Sequence, residues 1–209
     1  MKRKTFVGLT FVVVLLLSVS AQGGPVASPG VYCTDGDDCD GYFATKFWKE
    51  KFFGGGPGQP GNVLMALGQG FILQNVVLDN VEPCETGDCG LSSADPCYSD
   101  QWAYKTTYKG GFLRLNRQGP WLKKGKLKAT DLEATNYSYL DPDGNLHFCL
   151  VMSGPFKNAP AYSFNVVAKF DGTSDNYEVK YDEEGDDPVF QRGYDFDAVI
   201  EILDPTEPR

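Results

Sequence analysis

The chain has 209 residues, with 28 acidic against 19 basic side chains, one His and six Cys, for a net charge of −9. That balance repels nucleic-acid phosphates and anionic membrane surfaces, so neither is an expected partner. A single His leaves imidazole-dependent catalysis and His-built metal sites one residue to draw on.

At the start of the chain, Lys2, Arg3 and Lys4 precede an apolar run of 12 residues from Phe6 to Leu17, and Ser18-Val19-Ser20-Ala21 follows. A basic head, an apolar middle and small residues before a cleavage point are the grammar of a secretory signal peptide. A helix that spans a membrane needs about 20 apolar residues, more than this run provides. Residues 1–21 are therefore expected to be removed and the protein secreted, with no membrane insertion after cleavage. Loss of Lys2, Arg3 and Lys4 takes the net charge from −9 to −12 and leaves 188 residues, enough for a single domain with its own core. Residues 22–32, rich in Gly, Pro and Ser, read as a disordered lead-in, and residues 33–205 as one domain.

All six cysteines lie in the mature part, and an even count in an exported chain reads as three disulfides. The pairing expected is Cys33 with Cys39 and Cys84 with Cys89 as local clips, leaving Cys97 to staple a loop onto Cys149. Zinc is the rival use, but no C-x2-C pair occurs. Within the first clip, Asp35, Asp37, Asp38 and Asp40 are candidate Ca²⁺ ligands, making Ca²⁺ the one cofactor in question. An EF-hand loop counted from Asp35 meets Cys39 and Lys46 where its fifth and twelfth ligands belong, so that motif is rejected. The plain alternative is a solvated acidic turn.

Gly41 to Phe53 places Phe43, Phe47 and Trp48 near helical spacing and is the one candidate helix, with an irregular aromatic segment draped over the sandwich as the alternative. Gly54 to Gly61 breaks regular structure and lacks the Gly-Lys-Ser/Thr of a phosphate loop. Asn62 to Leu67 and Gly70 to Val81 read as one long strand bent at Gly68-Gln69-Gly70. Pro83 to Asp100 holds three cysteines and no periodicity, hence a disulfide-fixed loop. Trp102 to Tyr108 and Gly111 to Arg117 read as two strands joined by a turn at Lys109-Gly110-Gly111.

Pro120 to Lys128 sets Trp121 beside Lys123, Lys124, Lys126 and Lys128, the only concentrated positive charge of the mature chain. Charge beside an indole can grip an acidic polysaccharide, while lysines on an edge strand can equally serve to prevent aggregation.

Leu132 to Leu140 and Leu146 to Val151 form a hairpin through Asp141-Pro142-Asp143-Gly144-Asn145, whose Pro, Asp and Gly suit a turn. Both faces of the second strand are apolar, which sets it mid-sheet. From Ala161, Tyr162, Phe164, Val166, Ala168 and Phe170 alternate with polar neighbours, the pattern of an antiparallel sheet with one face on a core. A short strand over Tyr177 to Tyr181, an acidic loop over Asp182 to Asp187 and a closing strand from Tyr194 to Ile202 complete the chain. No internal repeat is found. The fold class is all-β, an antiparallel β-sandwich of jelly-roll or Ig-like arrangement, with long disulfide-fixed loops and at most one short helix.

His147 is the only imidazole and sits mid-strand beside Cys149, without a G-x-S-x-G elbow, so it reads as structural. Asn136-Tyr137-Ser138 is an N-glycosylation sequon if the source glycosylates secreted chains. Paired cysteines offer no thiolate. The expectation is a secreted, non-enzymatic module that binds carbohydrate or another extracellular ligand, glycan or protein. Trp121, Trp102, Tyr104, Lys123 and Lys124 are its candidate contacts. A self-associating envelope or matrix protein and a carboxylate-dependent glycoside hydrolase are the alternatives.

Overall fold

The computed structural model describes residues 24–34, 39–43, 45–52, 63–68, 70–171, 190–194 and 197–204, with side chains omitted for 45–52, 63–68 and 190–194. The expected signal peptide at 1–21, Asp35, Asp37, Asp38, the Gly-rich run 54–61, the strand expected at 177–181 and the acidic loop expected at 182–187 lie outside the described residues. Every described element is a strand: β1 (Val26–Ala27), β2 (Gly30–Cys33), β3 (Gly41–Tyr42), β4 (Thr45–Phe52), β5 (Val63–Gly68), β6 (Phe71–Pro83), β7 (Tyr104–Leu115), β8 (Leu122–Lys124), β9 (Leu127–Leu140), β10 (Leu146–Phe156), β11 (Ala159–Phe170), β12 (Phe190–Tyr194) and β13 (Asp197–Leu203). Eleven form one sheet in the order β12-β4-β5-β6-β7-β9-β10-β11-β13-β2-β3, and β1 pairs with β8 apart from it. Among the described residues the sheet is antiparallel except for the short β2–β3 pair, and it does not close into a barrel.

The inner face of this sheet encloses one apolar core in the manner of a sandwich. Leu73, Leu113, Leu115, Leu127, Leu150, Phe156, Phe164 and Ile200 are all fully buried in it. The alternation of Phe164, Val166, Ala168 and Phe170 points inward on β11 as the sequence predicts, and Ala198, Ile200 and Ile202 meet it from β13. β10 sits between β9 and β11 with Phe148, Leu150 and Met152 inward and Cys149 buried on the other side, the mid-sheet position read from its two apolar faces.

Four expectations are corrected. Gly41 to Phe53 is not helical: Thr45–Phe52 is a strand that pairs with β5 and β12, since ladder partners on both sides outweigh a weak helical spacing. The predicted bent strand is a hairpin, β5 folding back on β6, with Gly70 at φ 86° in the connection. The lead-in is structured from Val26 onward, because Ala27 and Tyr32 have core to bury against and β1 and β2 find partners in β8 and β13. Finally, Lys109-Gly110-Gly111 is not a turn; β7 runs through it.

The last correction has a common cause in three strands. A regular strand sends alternate residues to opposite faces, so a change of inward parity requires an additional residue. On β6, Phe71 and Leu73 give way to Val76 and Leu78; on β7, Tyr108 gives way to Leu113 and Leu115; on β9, Leu127 and Ala129 give way to Leu132 and Ala134. At those points lie Asn75 (φ 58°), Gly110 and Gly111 (φ 78° and 66°) and Asp131 (φ 57°), all left-handed. They are ladder neighbours: Gln74 pairs with Phe112 and Val77 with Lys109, while Gly110 pairs with Leu132 and Phe112 with Thr130. A single crease thus crosses β6, β7 and β9 and keeps one face inward on both sides of it. A Cβ at Gly111 would stand 2.4 Å from the Gln74 carbonyl, so no other residue fits there without displacing β6.

Candidate functional site

The sequence-predicted contacts fall in different places. Trp121 is fully buried. Its indole packs edge-on against Phe43 and Tyr32, at 4.9 Å and 6.0 Å between ring centres, and its Nε1 donates to the Asn116 carbonyl at 3.1 Å. Gly119 lies so close beneath the ring that a Cβ there would meet it at 2.1 Å. Lys123 and Lys124 are exposed on β8, away from the buried ring, while Tyr104 is 52% exposed at the end of β7.

Trp102 is 8% exposed and belongs to a second cluster on the outer face of β9 to β11. The loop of residues 84–103 lies over that face. Trp102 donates Nε1 to the Cys97 carbonyl at 2.8 Å and packs on Tyr139 and Tyr137. Cys97 is bonded to Cys149 of β10, and the other two bridges are Cys33–Cys39 and Cys84–Cys89, so all three expected pairings are present. Tyr139 stacks in turn on His147, whose Nε2 lies 3.3 Å from Oδ2 of Asp141. The lone imidazole is thus held at the hairpin tip by a ring stack and a carboxylate. Asp40, the one described member of the acidic cluster, accepts the Val31 N–H at 2.8 Å, and among the described residues no group of three metal-ligating side chains occurs.

Among the described residues an opening of ligand size lies at the crease. β9 and β10 are laddered from Leu140–Leu146 to Ala134–Met152, where the ladder ends. Beyond that point Asp131 is left-handed, Pro155 has no N–H to offer and β10 loses register against β11 at Pro155–Phe156. Contact resumes only where the Lys157 N–H reaches the Lys128 carbonyl at 2.8 Å and the Asn158 side chain bonds both the Lys128 N–H and the Lys126 carbonyl. Between them is a slot of about 420 Å³, lined by residues 129–133 of β9, Ser153, Gly154 and Pro155 of β10, Lys157 and Phe164. Ala129, Leu132 and Phe164 form an apolar floor; Thr130, Asp131, Glu133, Ser153 and Lys157 supply hydroxyl, carboxylate and ammonium groups at the rim.

Charge is unevenly placed around the slot. Toward its upper end Glu133 pairs across the ladder with Lys109, which is bridged to Asp79 at 2.9 Å; that contact holds the Lys109 ammonium above its ordinary value. Asp131 accepts from the Thr130 hydroxyl at 3.0 Å. Below, Arg114 of β7 stands directly opposite Lys128 of β9, with Lys126 and Lys157 nearby. The slot and its basic flank have no single-residue signature in the sequence. The one signal the sequence offered there, the run Gly110-Gly111, reads as a turn when its ladder partners are unknown.

The chain matches no family model, no curated protein and no solved structure.

Proposed function

We propose that the protein is a secreted, carbohydrate-binding β-sandwich whose ligand enters the slot between β9 and β10. The observation that carries this reading is the lining of the slot. A sugar ring presents C–H faces and hydroxyls together, which calls for an apolar floor with polar groups at the rim, and Ala129, Leu132 and Phe164 under Thr130, Asp131, Glu133 and Ser153 supply that combination. A volume of about 420 Å³ lies within the usual range for small-ligand sites. Secretion is supported by the signal-peptide grammar of residues 1–21 and by three disulfides, which fit an oxidising compartment.

Glycan-array binding of the full chain tests the reading, with Gly154→Leu as the blocking variant. A Cβ at Gly154 falls 3.6 Å from the Phe164 ring, ordinary contact, so Gly154→Ala keeps the fold while leucine must extend into the slot. Binding by wild type and Gly154→Ala, lost in Gly154→Leu at unchanged melting temperature, is the expected pattern. Equal binding by all three, or none by wild type, rules the slot out.

A second reading, glycoside hydrolysis, rests on Asp131 and Glu133 lining one slot, since such enzymes use two carboxyl groups about 5 to 10 Å apart. Release of reducing ends from a bound glycan, abolished by Glu133→Gln or Asp131→Asn, would favour it over binding alone.

A further inference from the structure

We infer that the ligand is an acidic polysaccharide, its carboxylate or sulfate groups met by Arg114, Lys126, Lys128 and Lys157 while a sugar ring occupies the slot. This rests on the carbohydrate reading above and adds the charge class of the ligand.

The four cations are gathered against their own repulsion. Arg114 and Lys128 are directly opposed on adjacent strands, a like-charge pairing that disfavours the sheet. The Lys or Arg ion pair found among the described residues is Lys109–Asp79, which does not involve the cluster. The two nearest slot carboxylates have neighbours of their own, Asp131 with Thr130 and Glu133 with Lys109. Solvated edge lysines would explain Lys123 and Lys124 on short β8, but not Arg114. β7 is an interior strand, paired on one side by β6 and on the other by β9.

Arg114 is also only partly accessible, and its Nε is buried without a hydrogen-bond partner. A buried cationic donor without an acceptor is costly, and an anionic group at the accessible part of the guanidinium supplies the negative partner that the side chain lacks. Phe112, half-buried on the same outward row of β7 and paired with Thr130 of the slot, adds an apolar surface between the cations and the opening.

A polymer fits better than a single anion. From Arg114 on β7 through Lys128 on β9 to Lys157 after β10 the positive charge crosses three strands, roughly 10 Å at the usual strand spacing. That exceeds the size of one sulfate or carboxylate. The slot continues directly from this row, through Thr130 and Lys157, and its carboxylates at the far end favour hydroxyl donors over further anionic groups. The ligand therefore lies with its acidic substituents over Lys128 and a neutral ring face in the slot.

The test is retention of the full chain on immobilised sulfated and uronic-acid polysaccharides, beside a neutral glucan and single-stranded DNA, over a rising NaCl gradient. The expected result is retention on the acidic polysaccharides alone, abolished near 1 M salt, where the screening length is about 3 Å. Arg114→Gln with Lys128→Gln should weaken it at least about tenfold, and the exposed pair Lys126→Gln with Lys157→Gln should weaken it without touching a β7 side chain. Unchanged retention in both double variants overturns the inference. Equal binding of the neutral glucan overturns it while leaving the carbohydrate reading intact; equal binding of DNA shows charge alone being read and overturns it too. No glycan retention at all removes both.

Discussion

β9 and β10 carry two outer surfaces that the protein treats in opposite ways. At the hairpin end, Tyr137, Tyr139, Cys149 and Val151 are roofed by the loop of residues 84–103 and its Trp102. At the crease end the same two strands turn Lys128, Thr130 and Ser153 outward, exposed to solvent beside the slot, with Lys157 just after β10. The difference follows from side-chain chemistry. Apolar side chains on the outer face of a sheet need a second layer, and the chain supplies one tied down by Cys97–Cys149. Cationic side chains need no such cover and leave backbone and cavity within reach of a ligand. One end of the hairpin is thus covered and the other, at the crease, is left open to solvent.

Breaking the roofed end should cost the most. The Cys97–Cys149 bridge closes 52 residues, which in the chain-entropy account corresponds to about 4 kcal/mol. Cys97→Ala with Cys149→Ala is expected to lower stability by that order in urea denaturation, while glycan retention at the slot of the folded protein stays at the wild-type level. Loss of retention in the folded variant would mean that the two ends are coupled and the division of roles is false.

Trp102→Ala should come next, with a loss of about 3 kcal/mol, typical of a buried aromatic truncated in place. Its Nε1 bond to Cys97 and its contacts with Tyr137 and Tyr139 all disappear. The matching change at the open end, Lys128→Ala, is expected within about 0.5 kcal/mol of wild type because an exposed surface side chain supports little. Melting curves of the two variants side by side sharpen the contrast; comparable losses would erase it.

The sequence made the roofed end legible and the open end obscure, for physical reasons. Short spacing favours local clips, so Cys33–Cys39 and Cys84–Cys89 were the pairs expected and Cys97–Cys149 was what they left over. The hairpin over Asp141–Asn145 and the inward row of β11 follow from turn residues and a strict period of two, both local signals. The slot is not local. It arises because Asn75, Gly110-Gly111 and Asp131, 35 or more residues apart for the first two, become ladder neighbours, and Gly-Gly in one strand reads as a turn when its partners are unknown. Trp121 misleads in the opposite sense: four adjacent lysines make it look like a surface ring, yet Phe43 and Tyr32, some 80 to 90 residues earlier in the chain, enclose it. Arg114 and Lys128, 14 positions apart, carry no mark of their opposition until register is known.

The smallest effect lies at the tip of the roofed end and depends on pH. Asp141 accepts from the Asn145 side-chain amide at 3.0 Å and from the Asn145 N–H at 2.7 Å, and these contacts, with His147 contributing less, hold its carboxyl down at about 2. In the unfolded chain the same group titrates near 3.9. The folded value being the lower, the ionised carboxylate favours the native hairpin above about pH 4, and that contribution fades as pH falls through the folded value of about 2. Asp141→Asn should therefore melt slightly below wild type at pH 6, with the gap closing between pH 4 and pH 2 as the wild-type carboxyl takes up its proton. Asn145→Ala, which removes the side-chain part of the cause, should give a smaller gap over the same window. A gap independent of pH would assign the hairpin tip to packing of the Tyr139–His147 stack instead of to the carboxylate, leaving the roofed end without an electrostatic component at its tip.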